Sequence, residues 1–299
     1  MTAALRREEV HSEPLVDGRP VTLDVLGRLH RRAQRLLVSR REHEEAGIER
    51  RLRAHPGVTR PNTVALMSPK GGVGKTTATF VVGNLLASHL KLRVVAVDAN
   101  PDFGTLARLA PDGRRSARSL ADLLRDADRL HTAAQLMPYV SRLPTGLHVL
   151  AAPQDARLPA RLGTQGYGEL VAFLSTFYDV VLLDLGTGIV GPLVRFMTDR
   201  ADRVVLVTTP EWITASVVLD ALRHVRHDHA TVAINKACGR PAVVEDRFRA
   251  EQLHQAVTIP YDDALATMLD SATYSLEALR HDTRVAVKRL GLAVAEQLV

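Results

Sequence analysis

The run Pro69-Lys70-Gly71-Gly72-Val73-Gly74-Lys75-Thr76-Thr77 constrains this chain more than any other stretch. An apolar, β-branched segment from Thr63 to Ser68 leads directly into it, and a helical pattern from Lys75 to Leu90 leaves it. Strand, glycine-rich loop and helix in that order make the context of an anion cradle. Glycines admit the positive φ values with which successive backbone N–H groups turn inward, and the helix start adds its own free N–H groups and dipole. Lys75 is then placed to reach terminal phosphates, and the Thr76 hydroxyl to complete the coordination of a magnesium ion. A glycine turn that merely joined strand to helix would have no use for Gly-Lys-Thr at the helix start.

Further short apolar runs follow, at Leu92 to Asp98, Val180 to Asp184, Val204 to Thr208 and Thr231 to Asn235, each patterned as a strand buried on both faces. Helical stretches separate them, at Ser119 to Ala127, Gly168 to Phe177, Ile213 to His227 and Thr283 to Leu298. This alternation predicts an α/β fold: a doubly wound, mainly parallel sheet with helices on both faces and right-handed crossovers. Four segments are expected: a polar lead-in (1–20), a basic amphipathic helical extension (21–54), a linker broken by Pro56, Gly57 and Pro61 (55–61), and the α/β domain (62–299).

Charge is distributed unevenly over the 299 residues. The formal balance is +6, yet residues 28–60 alone hold ten Arg and four Glu, so the rest of the chain sums to zero. In the extension Leu26, Leu29, Ala33, Leu36 and Leu37 share one helical face, and Arg28, Arg31, Arg32 and Arg35 the opposite one. One cysteine, Cys238, excludes a disulfide framework or a multi-cysteine metal site within one chain. No secretory leader pattern or apolar stretch of about 20 residues is evident, so the cytoplasm is the expected compartment.

The phosphate loop departs from the ordinary pattern, because position 69 is proline where a first glycine is usual and position 70 adds a second lysine. On Lys-Gly-Gly-Val-Gly-Lys-Thr, residues 70–76, the sequence resembles the ParA/MinD family of dimerising ATPases with a deviant Walker A motif. Val97-Asp98-Ala99-Asn100-Pro101-Asp102 looks like that family's second motif, and Tyr178 to Asp184 looks like its Walker B strand. The resemblance covers about residues 62–298. It implies ATP and magnesium as ligands, with Lys70, Gly71, Gly72, Val73, Gly74, Lys75, Thr76 and Thr77 around the phosphates. It also implies Asn235 and Pro260 beside the adenine, with Ile259-Pro260 opening a loop. Thr76, Asp98 and Asp184 would serve the magnesium, the two carboxylates through its bound waters. Lys70 is the family's signature lysine, which folds onto its own nucleotide or reaches across a dimer to the partner's; a cation supplied in trans contributes about 10³ to 10⁵ in rate. Lys70, Lys75, Asp98 and Asn100 are thus the implied catalytic set.

Asn100 stands where family members often carry a second acidic residue. An amide holds a water by hydrogen bonds but cannot take its proton or add negative charge. Slow hydrolysis, dependent on dimerisation and a stimulating partner protein, is therefore expected, and the rival reading is a nucleotide-binding regulatory or scaffold protein with little turnover. The family's cargoes span DNA partition, cell-division placement and secretion-system assistance, and the motifs do not separate them.

The basic extension has three readings: packing of its leucine face on the body or on a second copy, non-specific DNA contact through its arginines, and membrane-surface binding. A surface made by dimerisation is a second place for DNA. Membrane binding ranks last, because residues 21–60 carry no aromatic anchor. Trp212, the single tryptophan, is expected as a core or dimer-surface anchor.

Overall fold

A computed structural model describes residues 41–100, 104–153, 158–188, 191–223, 225, 229–239, 242–250 and 255–298, with the strand residues 15–16 and 19–20. The chain divides into two compact units, residues 1–47 and 48–299. In the first, β1 (Leu15–Val16) and β2 (Arg19–Pro20) pair antiparallel. The leucine and arginine faces expected over 21–40 lie outside the described residues, as does His227, the expected end of the helix from Ile213. Helix α1 covers residues 41–53.

The second unit is built on an eight-stranded sheet: β3 (Asn62–Ser68), β4 (Val94–Ala99), β5 (Ser141–Arg142), β6 (His148–Leu150), β7 (Val180–Thr187), β8 (Arg203–Thr208), β9 (Ala230–Ala237) and β10 (Ala256–Pro260). Its order is β10-β9-β8-β3-β7-β4-β6-β5. Every pair is parallel except the β5–β6 edge, as the strand and helix alternation predicts. The helices are α2 (Lys75–His89), α3 (Leu120–Asp126), α4 (Ala133–Leu136), α5 (Leu158–Leu174), α6 (Pro192–Arg200), α7 (Trp212–Leu222), α8 (Ala242–Ala250), α9 (Asp263–Asp270) and α10 (His281–Ala295).

Successive residues of a strand point to opposite faces, and here both faces are dry. Val64 and Leu66 of β3 join the core formed with α2, α9 and α10, while Ala65 and Met67 join the core formed with α3, α5, α6, α7 and α8. Hence β3 reads as an unbroken apolar run in sequence rather than an alternating one. Helix α5 begins ten residues earlier than its pattern predicts, and Gly163, at φ +57°, is non-helical and divides it into two helical pieces. Helix α7 stops at Leu222, short of the expected His227.

The first residues of the second unit are part of its packing. Ile48 and Leu52, one helical turn apart, are buried with Leu85 of α2 and with Val285 and Leu292 of α10. Glu49 pairs with Lys288, which is 4% exposed, and Arg51 Nε donates to Glu296 Oε1 at 2.9 Å. His55 Nε2 donates to Ala295 O at 2.8 Å, while its Nδ1 accepts from Gly57 N, which fixes the tautomer. No described helix is long and apolar enough to cross a membrane.

Candidate nucleotide site

Strand β3 sits between β7 and β8, where the chain's path over the sheet reverses, and the crevice at the carboxyl ends of such strands is where open α/β sheets take ligands. Residues 69–74 fill that place. Gly72 and Gly74 hold φ of +79° and +96°. Gly74 needs to be glycine twice over, because a Cβ there would lie 2.0 Å from Asn235 Nδ2. Val73 is buried in the core and anchors the loop from below. Asn235 Nδ2 donates to Val73 O at 2.9 Å, and Lys236 Nζ donates to Gly72 O at 2.7 Å.

Lys75 opens α2, is 6% exposed, and forms a buried ion pair with Asp184 Oδ1. Thr76 Oγ1 donates to the other oxygen, Asp184 Oδ2, at 2.7 Å. Asp98 is the direct register partner of Asp184 across β4 and β7, and both are 1% exposed. Backbone N–H groups of Leu106 and Asn100 donate to the Asp98 oxygens at 2.9 and 3.4 Å. Burial, and then the adjacent Asp184 charge, nevertheless push the Asp98 carboxyl up to about 6. Residue 104 must approach without a side chain, since a Cβ on Gly104 would stand 2.2 Å from Asp98 Oδ2.

These residues fit magnesium. The set is a hydroxyl and two carboxylates, all oxygen and hard, beside an anion cradle. One buried lysine faces two buried acids, and a divalent cation would supply the missing positive charge.

Lys70, at the mouth of the loop, bonds Glu211 Oε2 at 3.0 Å, and this contact holds the Glu211 carboxyl below its ordinary value. Glu211 precedes α7, whose first turn exposes apolar surface: Trp212 is 50% and Ile213 80% exposed. Trp212 is therefore not a core anchor, which removes one half of the expectation for it. The Arg247 guanidinium lies 5.4 Å from its ring centre. Asn100 is half-buried at the end of β4, and Asp102 lies outside the described residues.

Thr77, Asn235 and Pro260 meet at a cleft of about 200 Å³, lined also by Lys236, Tyr261 and Leu265. Ile259-Pro260 ends β10 rather than opening a loop, and the Ile259 side chain belongs to the core. Gly71 packs near Thr187 of β7, so a Cβ there would meet its methyl at 3.8 Å. The structure thus gathers every phosphate-loop residue, Asp98 and Asp184 at one edge, with Asn235 and Pro260 beside them. Lys236 and Gly104 are the additions that sequence reading missed. The signal for Lys236 was rarity: it is one of only five lysines against 34 arginines.

A profile described as the CobQ/CobB/MinD/ParA nucleotide-binding domain matches residues 64–273. The ESX-1 secretion-associated protein EspI of Mycobacterium tuberculosis is 32% identical over 238 residues, 75% of this chain and 35% of that protein. The chain therefore spans about a third of the length of that relative. The septum site-determining protein MinD of Synechocystis is 30% identical over 198 residues, 66% of this chain and 69% of that protein. Among solved structures, MinD of Pyrococcus horikoshii complexed with Mg-ADP superposes with a TM-score of 0.59 at 18% identity, covering 77% of this chain and 94% of that one.

Proposed function

The chain belongs to the CobQ/CobB/MinD/ParA nucleotide-binding family, and on that footing we propose that it is a magnesium-dependent ATPase working as a dimerising switch. The observation that carries this reading is the convergence of Lys75, Thr76, Asp98 and Asp184 on one loop that also holds a second, exposed lysine, Lys70.

ATP would lie with its phosphates on the N–H groups of residues 71–77 and its base in the cleft beside Asn235 and Pro260. Lys75 would exchange Asp184 for the terminal phosphates, which frees the Asp184 carboxylate. Thr76 would offer its hydroxyl to the cation, and Asp98 and Asp184 would hold the cation's waters. Magnesium bound with ATP supplies positive charge against the phosphate oxygens as the terminal group departs. Asn100 would orient the attacking water without drawing off its proton. Lys70 would leave Glu211 for the phosphates of its own nucleotide or its partner's, and the exposed Trp212 and Ile213 lie beside that contact, where a second copy would cover them. Hydrolysis is slow on this account and rises with a stimulating partner.

Among cargoes, the likeness to a secretion-associated protein favours assistance to protein export over DNA partition or division placement. Residues 28–60 would add a non-specific electrostatic hold on an anionic platform such as DNA. Asn100 supports a second reading, a regulatory scaffold that retains ATP without turning it over. Phosphate release measured with and without DNA and candidate partners separates the two. Turnover that rises on addition supports the switch; tight ATP retention without phosphate supports the scaffold. A salt series of DNA binding, with and without residues 1–47, tests the part of the basic segment before residue 48, and unchanged binding after deletion would remove residues 28–47 as the contact.

A further inference from the structure

Asn235 and Lys236 are neighbours in β9, and neighbours in a regular strand point to opposite faces. Both nevertheless bond the phosphate loop, and they do so at consecutive carbonyls, Val73 O and Gly72 O. The strand achieves this by irregularity. Thr258 pairs with Ile234 and Pro260 pairs with Ala237, so Asn235 and Lys236 together oppose the single residue Ile259. Such a bulge re-aims side chains, and here Lys236 also adopts φ +58°, a left-handed conformation that residues with a Cβ disfavour. Strain of this kind persists where the surroundings hold it, and it is common at functional sites.

The two bonds have a definite geometric effect. A trans peptide sets its C=O and the following N–H in opposite directions. Drawing Gly72 O toward Lys236 therefore turns Val73 N–H the other way, and drawing Val73 O toward Asn235 does the same for Gly74 N–H. Both residues also line the cleft beside the loop. We infer that the Asn235–Lys236 bulge is a clasp that preorganises the phosphate-binding N–H groups from the side of the base cleft, with Lys236 as a positioning residue for the phosphates. This inference rests on the nucleotide reading above. It joins cleft and cradle in one device: a base that seats against residues 235 and 236 also fixes the peptides that hold its phosphates.

The test is competition against a fluorescent ATP analogue on the full chain with magnesium, using ATP, adenosine and inorganic tripolyphosphate as competitors. Lys236→Met keeps the stem and removes the ammonium. It is expected to weaken ATP and tripolyphosphate by about tenfold, the worth of one charge-assisted hydrogen bond, and adenosine by less than about twofold. Lys236→Arg is expected to restore most of the tripolyphosphate affinity. Lys236 is exposed, so the nucleotide-free melting temperature of Lys236→Met should fall by no more than a few degrees, which separates the effect from misfolding. Tripolyphosphate binding unchanged in Lys236→Met, with ATP still bound by the parent, overturns the clasp alone. Loss confined to adenosine overturns it also, since Lys236 would then contact only the base. A parent chain that binds neither ATP nor tripolyphosphate overturns both the clasp and the nucleotide reading.

Discussion

Lys75 and Asp184 form a buried ion pair at the carboxyl edge of the sheet, 109 residues apart in the chain. The lysine assigned to phosphates is thus held by the carboxylate assigned to magnesium. Removing one partner strands a buried charge, which typically costs about 3–5 kcal/mol. Lys75→Met should therefore lower the stability of the nucleotide-free chain by about that much and abolish ATP binding. Adding Asp184→Asn should return much of the stability and none of the binding. Chemical denaturation of both single variants and the double variant, beside ATP titrations, gives the coupling directly; additive losses would mean the pair contributes nothing.

Asp98 predicts a pH dependence with a definite sign. Its folded value, about 6, lies above its unfolded value of 3.8. The folded chain thus holds the extra proton between the two, and stability from this group falls as pH rises through that window, with the full penalty present above about pH 6. Asp98→Asn should accordingly stabilise the nucleotide-free chain at pH 7.5, by on the order of 3 kcal/mol, while weakening magnesium-dependent ATP binding. Parent affinity for Mg·ATP should decline as pH drops below about 6, and the Asn variant should lose that decline. A parent melting temperature flat from pH 4.5 to 7, with no gain in the variant, would count against the burial of an ionising Asp98.

Gly104 is predicted to be intolerant of even one carbon. A Cβ would overlap the Asp98 carboxylate, so Gly104→Ala must push the 104–106 backbone off Leu106 N–H···Oδ2. We expect Mg·ATP affinity to fall about tenfold or more, with a stability loss of about 1–3 kcal/mol from steric overpacking. Calorimetric titration against the parent measures it, and parent-like affinity would show that the loop yields freely.

The first turns of the second unit give a prediction remote from the site. Leu52 is 1% exposed among Leu85, Val285 and Leu292. Leu52→Ala should cost about 2–4 kcal/mol as a cavity in that cluster. Removing residues 1–54 should lower the melting temperature sharply relative to removing 1–47. Equal melting temperatures for the two truncations would contradict a structural role for residues 48–54.

Much of this was legible in the sequence, for reasons that can be named. The strand, loop and helix around residues 62–89 are local, and a glycine-rich loop ending in Gly-Lys-Thr has little other use. The central strands were readable because both faces are buried, so each carries an apolar run without alternation, Val64 to Met67 in β3 and Val94 to Val97 in β4. The opposition of Asp98 and Asp184 was not readable, because it arises from β7 inserting between β3 and β4 in the sheet. Asn235 was placed beside the adenine by resemblance alone, and the bulge that brings Lys236 to Gly72, 164 positions away, depends on register with β10. Helix α5 reaches ten residues upstream of its expected start at Gly168, and Gly163, with non-helical φ and ψ, divides that added stretch.

The switch account is tested most directly by the molecular mass of the full chain in solution, read by light scattering with magnesium and either ADP or a non-hydrolysable ATP analogue. The account predicts one copy with ADP and two with the analogue, and a single copy throughout for Lys70→Ala if Lys70 reaches across the dimer. One unchanging mass for the parent in both nucleotides, with the analogue shown to be bound, would contradict it.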